Sequence, residues 1–279
     1  INASFFTAEV LVLYSLVGFI LPLTCRLKDK WVFLLACVLL IQPLPLYYVI
    51  RACLDSSFIT PAIPTRSFWD ATFAVQSHGS FLETVRVNLW EGQIASLAWA
   101  WDHGRVFQTA ALFLLGMLIG RRGLFQKENL KVWNKILAGA LIAFFPLYGL
   151  GNMLPAFIVN KSILTPLSLI ITSLSNFSFM LVLVSGVIFA FYNTNMHYLL
   201  MKITPYGKMS LTNYITQSIV GSMLYYNWGF ALHNQCGITV SCLAGIAFFI
   251  LQFTFCRWWM SHHSHGPMEY IWKRATWLK

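Results

Sequence analysis

The chain has 279 residues, of which 58% are hydrophobic and only 10% charged, and its mean hydropathy is +0.66. Soluble domains carry roughly 25% charged residues, so composition excludes a water-soluble globule and indicates an all-α, polytopic transmembrane bundle. The net charge of +10 does not point to nucleic acid, because the cations sit in short clusters between apolar runs, as loops facing an anionic leaflet do. The lipid bilayer is the expected partner.

A membrane span needs about 20 mostly apolar residues. Seven such runs are predicted, at 3–24, 31–50, 104–120, 132–150, 165–191, 210–231 and 238–256. The whole chain, 1–279, reads as one transmembrane domain. Lys and Arg alternate across these runs. Arg26, Lys28 and Lys30, then Arg121, Arg122, Lys127, Lys131 and Lys135, then Lys202 and Lys208, then Arg257, Lys273, Arg274 and Lys279 fall on one side. The other side holds Arg51, Arg66, Arg86, Arg105 and Lys161. By the positive-inside rule the C-terminus is cytoplasmic and residue 1 lies outside. A chain that starts outside, with Ile and without a signal sequence, is expected to lack an odd number of upstream spans.

The first run carries Glu9 near its outer end. An ionisable group in hydrocarbon costs at least about 2.5–3.5 kcal/mol, so Glu9 either faces the bundle interior as a functional group or reaches the outer interface. Residues 51–103 form a long outer connection rich in Trp. A connection of this length is functional or partly helical, and 81–101 is expected to form a helix lying at the interface. At its end stands Asp102-His103-Gly104-Arg105. His103 can act as a general base and Arg105 as an oxyanion or phosphate clamp; the alternative is a polar helix start with Asp102 near the N-terminal dipole.

Further along, Gly116 and Gly120 form a GxxxG that permits close helix contact. Pro146 is placed to kink the fourth span. The sixth span is unusually polar. Its Asn213 and Gln217 are four apart and share a face with Ser210 and Gly221, so they either glue helices together or line a substrate cavity. None of the six cysteines shows metal spacing; Cys53 and Cys236 are the pair whose predicted sidedness allows a disulfide. The His262-His263-Ser264-His265 run has no accompanying carboxylate or Cys at ligand spacing, and no metal is expected. In the cytoplasmic tail, 257–279, Gly266-Pro267 starts a helix with Met268, Ile271, Trp272 and Ala275 on one side and a Glu269–Lys273 pair on the other. Basic residues with Trp fit a helix lying on the inner leaflet.

Three stretches resemble the YeiB-like family, whose C-terminal module is known as domain of unknown function 418. They are Pro205-Tyr206-Gly207-Lys208-Met209-Ser210-Leu211-Thr212-Asn213-Tyr214 with Gln217-Ser218, the ending Arg257-Trp258-Trp259 with Gly266 to Arg274, and Leu115 to Leu124. The resemblance covers essentially the whole chain. It implies a bacterial inner-membrane protein of about ten helices, with an Arg…Asp…Arg-Gly motif in an earlier span that is absent here, and the omission of three spans. Where the family tends to have Asp-Ile-Leu, this chain has Glu9-Val10-Leu11. The family is similar in fold to membrane acyltransferases, which implies an acyl-CoA donor and an envelope acceptor, with Glu9 and His103 as catalytic candidates and Arg105, Asn213 and Gln217 as substrate-binding ones. Without that analogy no cofactor is evident. A transporter or channel for a small solute, or a membrane scaffold, would use the same polar groups.

Overall fold

A computed structural model describes residues 2–55, 57–61, 65–193 and 195–277. Lys279 of the tail therefore lies outside the described residues. Among them every regular element is helical. In chain order these are α1 (Asn2–Phe5), α2 (Val10–Gly18), α3 (Ile20–Thr24), α4 (Asp29–Leu40), α5 (Pro43–Leu54), α6 (Thr65–His78), α7 (Phe81–Leu89) and α8 (Glu91–Asp102). Then come α9 (Arg105–Arg121), α10 (Leu130–Phe157), α11 (Lys161–Asn193), α12 (His197–Lys208), α13 (Ser210–Tyr225), α14 (Ile238–His262) and α15 (Pro267–Trp277).

The expected seven spans are not what the helices present. Among the described residues three segments, Lys127–Phe157, Lys161–Asn193 and Ile238–His262, are long and apolar enough to cross a membrane. The number rises to five if the broken pairs 29–54 and 81–121 each count as one span. The first run fails because it is cut into α1, α2 and α3. The sixth run gives only the 16 residues of α13, about 24 Å at 1.5 Å per residue against a hydrocarbon core of about 30 Å. Pro146 and Pro155 both lie inside α10 and do not end it.

Helix contacts divide the chain into two compact units. One comprises Val10–Ile63 and Leu97–Thr194. Its core is a seam between α4 and α9, where Val32, Ala36, Leu114 and Leu118 are buried. Positions 32, 36 and 40 recur every four residues, so one stripe of α4 is covered and the other faces outward. Arg121 ends α9 by donating to the carbonyls of Leu27 (3.1 Å) and Cys25 (2.5 Å). With Arg122 it brackets Asp29, at 3.2 and 3.0 Å. The GxxxG expectation fails. A Cβ built at Gly116 or Gly120 would meet nothing within 4 Å among the described residues, so neither glycine marks a close helix approach here. The chain between α4 and α5 breaks at Gln42, whose φ of 60° is left-handed, and the two helices diverge by 51°.

The other unit comprises Ile1–Glu9, Pro64–Ser96 and Asn195–Lys279. Here α7 starts with a capping box in which Ser80 and Glu83 satisfy each other's backbone N–H groups. The predicted 81–101 helix is in fact two, α7 and α8, separated at Trp90. Phe5 and Trp228 both pack on Phe81. The tail helix α15 starts at Pro267 as expected, but its expected Glu269–Lys273 pair is replaced. Glu269 turns to the start of α13, and Lys273 lies 3.2 Å from His265. The reason is physical: a helix N-terminus offers unpaired N–H groups and a positive dipole end, which bind a carboxylate better than one exposed lysine does.

Candidate functional site

In the unit built around α4 and α9, polar groups gather where α8 gives way to α9. Gly104 provides the turn with φ of 63°, a conformation that favours glycine. An added Cβ would come within 2.3 Å of the Gln42 side chain. Gln42 is fully buried. Its side-chain amide donates to the Gly104 carbonyl and to Ser173 Oγ, both at 3.0 Å. These two bonds tie the break between α4 and α5 to α11 and to the turn that carries His103. Gln108, one turn further on, donates to the Ser173 carbonyl at 3.4 Å and accepts from Arg105 at 2.9 Å.

His103 is exposed and stacks on Trp99, ring centroids 4.6 Å apart. Its Nδ1 lies 2.9 Å from the Trp99 carbonyl oxygen. A carbonyl only accepts, so Nδ1 carries the proton, and in the neutral ring Nε2 keeps its lone pair. The Arg105 guanidinium lies 5.8 Å from the same indole. His103 and Arg105 are thus brought together on one aromatic platform, as a spacing of two residues across a left-handed turn permits.

In the other unit Asn213 and Gln217 are also brought together. Asn213 is buried, donates to the Tyr206 carbonyl at 3.1 Å and receives the Cys256 thiol at 3.2 Å. Gln217 donates to Tyr206 Oη and to Gln252 Oε1, both at 3.0 Å. Gln252 closes the ring by donating to the Asn213 carbonyl at 3.2 Å. The polar face of α13 therefore bonds to α12 and α14. Its start is held by α15. Glu269 accepts from the N–H groups of Leu211 (2.8 Å) and Thr212 (3.0 Å) and from Thr212 Oγ1 (2.6 Å), while the Met268 N–H donates to Thr212 Oγ1 at 3.1 Å.

Beside this ring lies a groove of about 340 Å³, lined by Phe6, Tyr214, Gln217, Ser222, Tyr225 and Tyr226 among others. Its wall connects to a second buried cluster. Tyr226 hydrogen-bonds Thr7. Thr7 donates to Asn88 at 2.7 Å and receives Gln76. Glu9, only 2% exposed, accepts from Asn2, and its backbone carbonyl accepts from Ser96 at 3.2 Å. So Glu9 is buried within its unit.

Several groups were not anticipated. Gln252 is a single amide in an apolar helix. Gln76 and Asn88 lie in a stretch read as a surface connection. Gln42 was legible only as an amide inside a predicted span. Among the described residues no cluster of three His, Cys, Asp or Glu side chains forms a metal site. His262 and His263 pack on Trp258 and Trp259, and all six cysteines are free.

Fold and clusters together define an α-helical protein with several helices suited to a membrane and with hydrogen-bonded polar groups in both units. A family model described as "Protein of unknown function (DUF418)" matches residues 119–279. The chain belongs to that family. It is similar to the uncharacterized protein YxaH of Bacillus subtilis (strain 168), 30% identical over 95 residues, or 34% of this chain and 24% of that protein. It is also similar to an uncharacterized 39.9 kDa protein in the amylase 3' region of Bacillus acidopullulyticus, 32% identical over 78 residues (28% and 22%). The uncharacterized protein YeiB of Escherichia coli (strain K12) is 29% identical over 83 residues (28% and 20%). Each match thus spans less than a quarter of the relative's length. No solved structure matches the chain.

Proposed function

We propose that this chain belongs to a multi-pass bacterial inner-membrane protein, its C-terminus cytoplasmic, that transfers an acyl group to an envelope component. The observation that carries the reading is the His103 platform. Trp99 fixes the ring through both a stack and a carbonyl, which leaves Nε2 as a base, and Arg105 stands on the same indole. In this reading Nε2 takes the proton from an acceptor hydroxyl. The oxygen attacks the thioester carbonyl of an acyl-CoA donor, Arg105 balances the oxyanion, and the C–S bond breaks as the thiolate recovers the proton from His103. In the other unit, the groove beside Gln217 is apolar along most of its wall with hydroxyl and amide groups at its edge, and its volume is within the ordinary range for ligand sites. Glu9, in the other unit, is the second catalytic candidate.

The test uses the full-length protein in membrane vesicles with labelled acetyl-CoA and envelope acceptors. His103→Ala should lower transfer by roughly 10²–10⁴-fold, and Arg105→Ala by a smaller factor. Normal transfer in His103→Ala removes His103 from the site, and absence of transfer by the unaltered protein removes the enzyme reading. A transporter is the second reading, favoured by the break between α4 and α5 at buried Gln42, since transporters build solute sites on discontinuous helices. Solute flux independent of acyl-CoA, abolished by Gln42→Leu, would establish it instead.

A further inference from the structure

The outward stripe of α4 has a composition that its buried stripe does not explain. Leu27, Trp31, Leu34, Leu35 and Val38 line an open groove of about 470 Å³. Leu27 is 42% exposed and Trp31 53%. From Trp31 to Val38 the groove follows the helix for about 10 Å, a third of a hydrocarbon core of about 30 Å. At its mouth stands the basic turn. Asp29 is already engaged by Arg121 and Arg122. Among the described residues no salt bridge takes up Arg26, Lys28 or Lys30, and all three are exposed. Lys30 Nζ lies 5.4 Å from the Trp31 ring, which places a cation at the rim of the apolar groove.

We infer that this groove is a binding site for one anionic phospholipid, its acyl chain along Trp31 to Val38 and its phosphate at Arg26, Lys28 and Lys30. Charge complementarity selects the occupant. A zwitterionic lipid would gain the apolar contact but less from three unneutralised cations, because its own ammonium offsets its phosphate, whereas a lipid with net negative charge gains both in full. An indole next to a lysine at the end of an apolar stripe is the arrangement expected where chain meets headgroup. The inference is independent of the acyl-transfer reading and needs only that this unit sits in a bilayer.

The experiment reconstitutes the full-length protein in vesicles containing brominated phosphatidylglycerol or brominated phosphatidylcholine. Bromine quenches a tryptophan that the lipid chain touches. The Trp31 signal is the difference between the unaltered protein and Trp31→Phe. Its quenching should reach half-maximum at roughly tenfold lower mole fraction of the anionic lipid. In Arg26→Gln/Lys28→Gln/Lys30→Gln, that preference should vanish while quenching by phosphatidylcholine persists, which shows that the variant is folded and the groove still open. Equal quenching by the two lipids in the unaltered protein overturns the proposal, because the face would then be ordinary lipid-exposed surface. Absence of Trp31-dependent quenching overturns it too, because another protein segment would then cover the face.

Discussion

The His103 platform and the α13 ring are both polar sites built on helix ends, yet they are held in opposite ways. At α13 each polar side chain bonds to another element: Asn213 to α12 and α14, Gln217 to Tyr206 and Gln252, and Glu269 to three donors at the helix start. At the platform the support is buried but His103 is not. Gln42, Gln108 and Ser173 fix the turn from within, while His103 projects from it into the open. A closed ring is what helix association in lipid requires, since apolar burial drives little there and unsatisfied amides are costly. A rigid support with one side chain left available is what chemistry requires. The difference separates a ring that holds helices from the turn on which the proposed acyl transfer rests.

The comparison is most easily broken at the two places where backbone and side chain meet tightly. Gly104→Ala should cost about 3 kcal/mol, combining a left-handed backbone with overpacking against Gln42 and Leu169. It should also disorder the platform, so the loss of any His103-dependent activity would exceed the loss of stability. Thermal unfolding in detergent followed by tryptophan fluorescence measures the first. If Gly104→Ala is neutral, the buried support does not position His103.

Next in size is the cap on α13. Glu269→Gln keeps the shape but removes the charge that three donors share, and should cost about 2 kcal/mol. Thr212→Val removes the hydroxyl that both donates to Glu269 and accepts from Met268. Because these groups act as one unit, the double variant should cost clearly less than the two single losses added together. Simple additivity would mean that α15 does not hold α13.

Much of this was legible in the sequence, and the parts that were not have identifiable causes. The runs at 132–150, 165–191 and 238–256 became α10, α11 and α14, because uninterrupted apolar stretches of that length have no other way to satisfy their backbone in lipid. The first run looked equally apolar, but hydropathy averages over a window and does not register the local breaks that divide α1, α2 and α3. The four-residue spacing of Asn213 and Gln217 disclosed their shared face. It could not disclose Gln252, which sits 35 residues from Gln217, or Glu269, 57 residues from Thr212. Those partners are fixed by packing, and periodicity reports only what lies within one helix.

The smallest effect settles what the α13 face is for. Gln217 is the one member of the ring that is exposed and also lines the groove. Hydrogen bonds between membrane helices are worth about 0.6 kcal/mol on average, so Gln217→Leu should lower stability by only about that amount, and Asn213→Leu by somewhat more because its site is closed. If the face serves only to join helices, nothing else changes. If the groove receives a substrate, Gln217→Leu should weaken substrate binding several-fold at nearly unchanged stability, while Asn213→Leu should lower the two together. A Gln217 variant that binds substrate normally would leave the groove without a role and reduce α13 to the structural half of the comparison.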